Sequence, residues 1–212
     1  MPMLVKTPVY RLWKNKLARS LKKRRLRIML DKTGTSRLPG KIRVLEIGCA
    51  NGMDAIQFMA DASRYDIYGV DLNDSRIEME NFTFRQCDAA ELPFPDGYFD
   101  LVITIGLLEH IEPMEKLCAV ASEIRRVGKA YANVMPSIST WLEPHTVSLL
   151  WPRFLHKKMV EKRSANQILR LNFFSDHTWT KLTGFAEADV CRFWYFAPFV
   201  RNTLVYKPVD ER

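Results

Sequence analysis

Apolar residues near the start of the chain recur with the spacing of one helix face. These residues are Val9, Leu12, Trp13, Leu17 and Leu21. Basic side chains occupy other positions around the helix, so the pattern predicts an amphipathic helix over residues 3–32. Two glycines and a proline then favour a linker over residues 32–40.

Beyond residue 41, short apolar segments alternate with amphipathic ones. The apolar segments predict strands over 43–47, 66–70, 82–86, 99–105, 129–135, 186–195 and 201–207. The amphipathic segments predict helices over 53–60, 75–80, 115–125 and 174–182, the last capped by Ser175 and closed by Gly184. Strands separated by helices imply right-handed crossovers, so we expect an α/β fold with a doubly wound, mostly parallel sheet.

The chain divides into an arm and one domain. We expect a basic helical arm with its linker over 1–40 and a globular domain over 41–212. A length of 212 residues, 47% of them apolar, suits one domain with a sizeable core. Residues 136–172 are rich in Trp, Pro and basic side chains and interrupt the alternation, so we expect an insertion there.

Positive charge is concentrated in the N-terminal part. Residues 1–43 hold 14 Lys and Arg against one acid, a net +13, whereas the remainder carries −5. This asymmetry indicates an anionic partner, which is a phospholipid, a nucleic acid or a phosphorylated substrate. We find neither an apolar stretch of the roughly 18 residues that span a membrane nor the apolar core of a secretory signal. The four cysteines are far apart in sequence, so we expect a reduced cytoplasmic protein without a metal site.

Four predicted strand ends carry groups suited to one ligand. Gly48 and Gly52 follow the first strand, where glycine lets a ligand approach the backbone closely. Asp71 ends the second strand, a position from which an acid accepts ribose hydroxyls. Asp88 ends the third strand and suits an exocyclic amine, and residues 103–111 follow the fourth. Each feature alone fits an ordinary turn or a solvated acid, but the four in order indicate a ligand site.

The block from Val44 to Ile111 resembles class I S-adenosylmethionine-dependent methyltransferases of the subgroup called methyltransferase type 11. The segments that carry the resemblance are VLEIGCANG, YGVDLN, CDAAELPFPDGYFDLV and ITIGLLEHI. The resemblance implies a Rossmann-like, seven-stranded methyltransferase fold over 41–212 and S-adenosylmethionine as the cofactor. It also implies the following roles. Glu46 supports the glycine turn, and Gly48, Cys49 and Gly52 border the methionine end of the cofactor. Asp71 and Leu72 hold ribose and adenine, Asp88 and Ala89 hold the adenine edge, and Ile105 and His110 lie near the methionine carboxylate and the sulfonium.

The sequence departs from the family pattern at two places. Ala50 stands where a glycine is usual, and its methyl group narrows the turn. The segment from Ile124 to Ala130 lacks the usual proline and paired glycines, so the connection into the fifth strand is short.

Fewer residues indicate which molecule accepts the methyl group. A hydroxyl acceptor needs a base, for which His145 is the first candidate because imidazole titrates near neutral pH. Glu143 and His110 are further candidates, and an ordinary loop histidine is the alternative. The sequences Glu143-Pro-His145 and Trp151-Pro152 are similar to enzymes of polysaccharide and glycolipid biosynthesis. This similarity implies a small-molecule acceptor with a sugar hydroxyl.

The basic arm leaves several functions open. A basic helix that carries a tryptophan suits peripheral contact with an anionic membrane surface. The alternative is an RNA methyltransferase that acts on ribose and uses the arm on phosphates. A non-catalytic module that binds S-adenosylmethionine is a third possibility.

Overall fold

The fold is built on one seven-stranded sheet. A computed structural model of the protein describes residues 8–49, 59, 61, 63–74, 80–137, 142–143, 148–149, 176–185, 188–196 and 200–210. The strands are β1 (Ile42–Ile47), β2 (Tyr65–Asp71), β3 (Phe82–Gln86), β4 (Leu101–Ile105), β5 (Tyr131–Pro136), β6 (Asp189–Phe196) and β7 (Val200–Lys207). Their order across the sheet is β3-β2-β1-β4-β5-β7-β6.

The strand directions follow from the connections. Strands β1 to β5 pair in parallel, whereas β7 pairs antiparallel with both β5 and β6. Four consecutive residues of β4, from Leu101 to Thr104, are buried, as expected for a strand covered on both faces. The expected doubly wound, mostly parallel sheet is therefore confirmed.

Three helices flank the sheet in the described part of the chain. They are α1 (Pro8–Thr33), α2 (Met114–Val127) and α3 (Asp176–Leu182). In α2 the buried residues recur at helical spacing: Leu117, Val120, Ala121, Ile124 and Val127. Gly184 follows α3 with φ of 70°, the left-handed conformation common after a helix end. No described helix is long and apolar enough to cross a bilayer.

The sheet has a hydrophobic cluster on each face. One cluster contains Ile42 and Val44 of β1 together with Leu26 and Met29 of α1. The other contains Leu45 and Ile47 of β1 with the buried face of α2. The C-terminal part of α1 therefore packs into the core, although it runs through a cluster of basic residues.

Two contacts fix the direction of α1 along the sheet. At its C-terminal end, the Thr33 carbonyl accepts the backbone N–H of Val209, just beyond β7. Nine residues earlier, Arg24 donates to the Trp194 carbonyl at 2.8 Å. Trp194 lies in β6 opposite Arg201, beside the carboxyl end of β5. The helix thus runs from the carboxyl ends of the parallel strands towards their amino ends.

The outward face of α1 is cationic. Lys16, Arg19, Lys23 and Arg27 are exposed and three or four residues apart, so they form one stripe, called here the cationic stripe. Leu17 and Leu21, which the sequence places on the opposite face, are half-buried.

Several predicted elements lie outside the described residues. They are nearly all of the helices over 53–60 and 75–80, the Ser175 cap and most of the insertion over 136–172. Within that insertion the structure describes only Pro136, Ser137 and a hairpin of Leu142–Glu143 with Ser148–Leu149. The boundary at residue 40 stays a prediction.

Candidate functional site

The carboxyl ends of β1, β2 and β4 adjoin, because Ile47 pairs with both Val70 and Thr104. We call this edge of the parallel strands the carboxyl edge. Gly48 leaves β1 there with φ of 80°, and its N–H donates to the Val70 carbonyl at 2.8 Å. A Cβ on Gly48 would lie 3.1 Å from the Leu107 side chain, so this contact and the positive φ both favour glycine here.

Cys49 turns its side chain away from this edge. The thiol is fully buried, and burial raises its pKa to about 12. Its space exists because β2 has a glycine: a Cβ on Gly69 would lie 2.5 Å from the Cys49 sulfur. Cys49 therefore offers a ligand only its backbone. Glu46, the predicted support of the turn, is buried within β1.

Asp71 ends β2 beside this turn. Its Oδ1 accepts the backbone N–H of Asn73 at 2.9 Å, so the carboxylate is oriented by the chain that follows it. Leu72 is 60% exposed, more than any other large apolar side chain in the described residues. The Leu72 carbonyl is held by Gln86 of β3 at 2.7 Å. An oriented acid and an exposed apolar side chain thus lie next to each other.

Asp88 lies just past the neighbouring strand. The Cys87 N–H donates to the Asp71 carbonyl at 3.1 Å, which ties the two acidic segments together. Asp88 Oδ1 accepts the Ala90 N–H at 3.0 Å, and Oδ2 accepts Lys116 Nζ at 2.7 Å. The Lys116 hydrogen bond, followed by that of Ala90, lowers the pKa of Asp88, so this acid is an ionised acceptor at neutral pH. Ala89, the predicted neighbour, is half-buried.

Helix α2 holds the segment that follows Asp88. Glu123 Oε2 accepts the Leu92 N–H at 2.7 Å, while Arg126 donates to the carbonyls of Leu92 and Phe94 at 2.9 and 2.7 Å. Sequence reasoning missed Lys116, Glu123 and Arg126. Glu123 and Arg126 are three residues apart, a spacing that suits a pair on a helix, but the predicted helix ended at residue 125, and nothing in the spacing indicates their contact with residues 92–96.

The fourth strand end also lies at the carboxyl edge. Ile105 is half-buried, and Gly106 follows it with φ of 64°. His110 ends the 3₁₀ turn Leu108–His110 and is exposed. The structure therefore brings the ends of β1, β2, β3 and β4 together as the sequence led us to expect.

The other predicted site residues are placed less fully. Gly52, Ala50 and His145 lie outside the described residues, as does Trp151. Glu143 lies in the short hairpin strand Leu142–Glu143, of which only the backbone is described.

The described residues fit an adenosine-containing ligand. Asp71 offers an acceptor for ribose hydroxyls, and Leu72 offers an apolar surface for a flat base. Asp88 offers an ionised acceptor for an amine, and the turn at Gly48 brings backbone to the same edge of the sheet.

The sequence of this region decides its family. Residues 45–132 match the sequence profile of the family described as "Methyltransferase domain". This segment is a methyltransferase domain. The resemblance recognised from the sequence is confirmed, and the matched segment contains the second half of β1, all of β2 to β4, α2 and the first two residues of β5.

Similar proteins extend this match. The chain is 32% identical over 111 residues to the 27-O-demethylrifamycin SV methyltransferase of Amycolatopsis mediterranei, covering 44% of this chain and 40% of that one. The chain spans less than half the length of the curated relatives it matches first.

Solved structures share the fold. One is the Burkholderia thailandensis 1,6-didemethyltoxoflavin-N1-methyltransferase with bound 1,6-didemethyltoxoflavin and S-adenosylhomocysteine. It has a TM-score of 0.59 and 15% identity, covering 94% of this chain and 81% of that one. Another is the magnesium protoporphyrin IX methyltransferase of Synechocystis PCC 6803 with bound S-adenosylhomocysteine. It has a TM-score of 0.58 and 16% identity, covering 90% and 84%.

Proposed function

We propose that the protein binds S-adenosylmethionine at the carboxyl edge and transfers its methyl group to a hydroxyl of a small molecule. The observation that carries this proposal is the adjoining pair of acids, Asp71 and Asp88, with Leu72 exposed beside them. Both solved structures named above contain S-adenosylhomocysteine, which supports the cofactor. When bound, the cofactor supplies a methyl group already activated on a sulfonium.

The residues of the carboxyl edge have separate tasks in this proposal. Asp71 accepts the ribose hydroxyls, Leu72 packs on the adenine, and Asp88 with Ala89 holds the amine edge. Glu46 supports the glycine turn, where Gly48, Cys49 and Gly52 leave room for the methionine end. Ile105 and His110 lie near the methionine carboxylate and the sulfonium. The chain thus contributes mainly alignment and exclusion of water.

For the acceptor we propose a saccharide or glycolipid hydroxyl. The segment Glu143-Pro-His145 followed by Trp151-Pro152 supports this class, and the rifamycin relative is named for an O-demethyl substrate. His145 is the first candidate to accept the hydroxyl proton, Glu143 the second, and His110 the third. In this scheme the base would take the proton of the hydroxyl, while S-adenosylmethionine would supply the methyl group and be left as S-adenosylhomocysteine.

The cofactor proposal is tested by calorimetry with S-adenosylhomocysteine. We expect binding in the micromolar range that Asp71→Ala weakens strongly, because the ribose loses its acceptor. Asp31→Asn is the matched control: Asp31 is an exposed acid near the other end of α1, and its variant should bind as the parent does. An absence of binding by the parent protein contradicts the proposal.

The base is tested by turnover. We expect His145→Ala to lower the rate of methyl transfer by about two to four orders of magnitude, the usual range for a general base, with unchanged affinity for S-adenosylhomocysteine. The acceptor for this assay comes from screening metabolite extracts with isotopically labelled S-adenosylmethionine. Cofactor binding without transfer to any fraction favours the non-catalytic module.

We also propose that the cationic stripe places the protein on an anionic membrane surface. The stripe is exposed, and Arg24 of the same helix reaches Trp194 at the end of the sheet on which the carboxyl edge lies, so a contacted surface would face that end of the sheet. Leu26 and Met29 are buried in the core, so residues 16–33 offer charge rather than an apolar face for insertion.

Vesicle sedimentation separates this proposal from the RNA alternative. We expect the full chain to sediment with phosphatidylglycerol vesicles at low salt and to dissociate from them as the salt concentration rises. It should not sediment with neutral vesicles. Lys16→Glu with Arg19→Glu should abolish the association. Tighter binding to RNA than to anionic vesicles at the same salt favours the ribose-directed RNA methyltransferase.

A further inference from the structure

We propose that Lys116 is a specificity-determining positioning residue, which holds Asp88 so that the site selects adenine over bases that lack the exocyclic amine. This inference rests on the proposed cofactor site. Lys116 acts through Asp88 and does not itself belong to the residues assigned to the cofactor.

The geometry fixes the Asp88 carboxylate from two sides. Lys116 Nζ donates to Oδ2 at 2.7 Å, and the Ala90 N–H donates to Oδ1 at 3.0 Å. One donor on each oxygen sets the plane of the carboxylate. Each oxygen has a further lone pair, so an amine hydrogen can still be accepted.

Helix α2 anchors Lys116 relative to Asp88. Lys116 lies in the first turn of α2, where its own N–H donates to the Pro113 carbonyl at 3.0 Å. The next residue, Leu117, is fully buried in the core. Farther along the same helix, Glu123 and Arg126 bind the segment after Asp88. The helix and the acid segment are therefore tied together at three places along α2.

The charge of Asp88 bears on which base is accepted. The hydrogen bond from Lys116 lowers the pKa of Asp88 below its ordinary value of 3.8, so the carboxylate is ionised at neutral pH, as it would be without Lys116. An ionised carboxylate only accepts hydrogen bonds, which suits the amine of adenine. A protonated carboxyl also donates, which would suit the carbonyl of hypoxanthine. Lys116 thus supports selection of the amine by orienting an acceptor that is already ionised.

The alternative is that Lys116 and Asp88 form an ordinary surface ion pair with no effect on ligand binding. The side chains of Lys116 and Asp88 are 36% and 40% exposed, and such pairs contribute little to stability. The chain offers a matched case in Lys129, whose Nζ also lies 2.7 Å from a carboxylate, that of Asp100. Asp100 precedes β4, at the opposite end of the strand from the carboxyl edge. Lys129→Met is therefore the control variant.

The experiment compares two ligands by calorimetry: S-adenosylhomocysteine and its deaminated analogue, S-inosylhomocysteine. The full-length parent, Lys116→Met, Lys116→Arg, Lys129→Met and Asp88→Asn are each measured, and thermal melts check folding. We expect the parent to prefer the adenine ligand and Lys116→Met to lose about tenfold of that preference, the scale of one charge-assisted hydrogen bond. Lys116→Arg should keep most of it, and Lys129→Met all of it.

The outcomes separate the two proposals. If the parent does not bind S-adenosylhomocysteine, the proposed cofactor site is wrong and this inference is wrong with it. If Asp88→Asn removes the preference while Lys116→Met retains it within twofold, the site stands and the role of Lys116 is refuted. An equal loss in Lys116→Met and Lys129→Met also overturns the inference, because it reports a general effect of charge removal.

Discussion

Arg126 donates to both carboxylate oxygens of Glu123, with Nε 2.7 Å from Oε1 and Nη2 2.7 Å from Oε2. The two residues are three apart on α2, and both also bind the preceding loop. Glu123 accepts the Leu92 N–H, and Arg126 donates to the Phe94 carbonyl. Planar two-point pairing of this kind fixes direction as well as distance. The pair therefore joins α2 to the connection between β3 and β4, the same connection that carries Asp88.

We predict that Arg126→Ala lowers the free energy of unfolding by about 2 kcal/mol. The change removes bonds to two backbone carbonyls and leaves the Glu123 carboxylate, only 16% exposed, without its cation. Urea unfolding measures the loss. Lys129→Ala breaks the more exposed pair with Asp100 and should cost less than about 1 kcal/mol. Equal losses would mean that the contacts to residues 92–94 contribute nothing.

The Glu123 carboxyl also predicts a pH dependence. The hydrogen bond from Arg126 is the main cause that lowers its pKa below the ordinary value of 4.5. A group with a lowered pKa in the folded state stabilises fully above its unfolded pKa, and that stability is lost as pH falls through the folded pKa. We expect the unfolding free energy of the parent to fall more steeply below about pH 5 than that of Glu123→Gln. Parallel curves from urea titrations across this range would contradict the expectation.

Gly48 and Gly40 allow strain to be separated from contact with a ligand. Both have positive φ, 80° and 71°, so alanine at either position should cost about 1 kcal/mol of stability. A Cβ at Gly48 would press on Leu107, whereas at Gly40 nothing lies within 4 Å. We expect Gly48→Ala to weaken S-adenosylhomocysteine binding more than about tenfold, since the added methyl group would meet Leu107 and displace the turn that borders the ligand. Gly40→Ala should leave the affinity for S-adenosylhomocysteine unchanged. If Gly48→Ala also leaves it unchanged, the ligand does not bind at this turn.

Met29 tests whether α1 is part of the folded domain. Its side chain is fully buried in the cluster shared with β1. We expect Met29→Ala to lower the unfolding free energy by about 2–5 kcal/mol, because Met and Ala are both good helix formers and the change removes packing. Lys16→Ala, on the exposed stripe, should change it by less than about 0.5 kcal/mol. If Met29→Ala changes the unfolding free energy only slightly, α1 contributes little to the stability of the domain.

Much of the sheet was predictable because its signal is local. Phe82–Gln86 is a strand with the predicted bounds, and β1, β2, β5 and β7 begin or end within two residues of prediction. The strand predicted over 99–105 begins at Leu101, since Phe99 forms only an isolated bridge with Gly128. Gly128, in the short connection into β5, packs close to β4: a Cβ there would lie 2.7 Å from the Val102 side chain, so the position favours glycine.

The less predictable features depend on contacts between distant parts of the chain. The apolar pattern of the first helix was predicted from Val9 to Leu21. Among the residues of α1 whose side chains the structure describes, those from 16 onwards, Leu26 and Met29 are the hydrophobic ones buried in the core. Their partners include residues of β6 and β7, which no local pattern reveals. Lys116 and Asp88 are likewise 28 residues apart, and their pairing depends on how α2 crosses the sheet. The strand-end acids could be proposed from sequence because parallel strands bring their carboxyl ends together.

The packing of α1 has a consequence for how the chain folds during synthesis. Leu26 and Met29 share a core cluster with Phe193, Leu204 and Tyr206, and Arg24 bonds Trp194 across 170 residues. Helix α1 therefore leaves the ribosome before β6 and β7, and it acquires these partners only after both strands have emerged. Until then its apolar stripe is exposed beside a dense row of cations, so the nascent chain offers chaperones and anionic surfaces a segment that the finished protein partly buries.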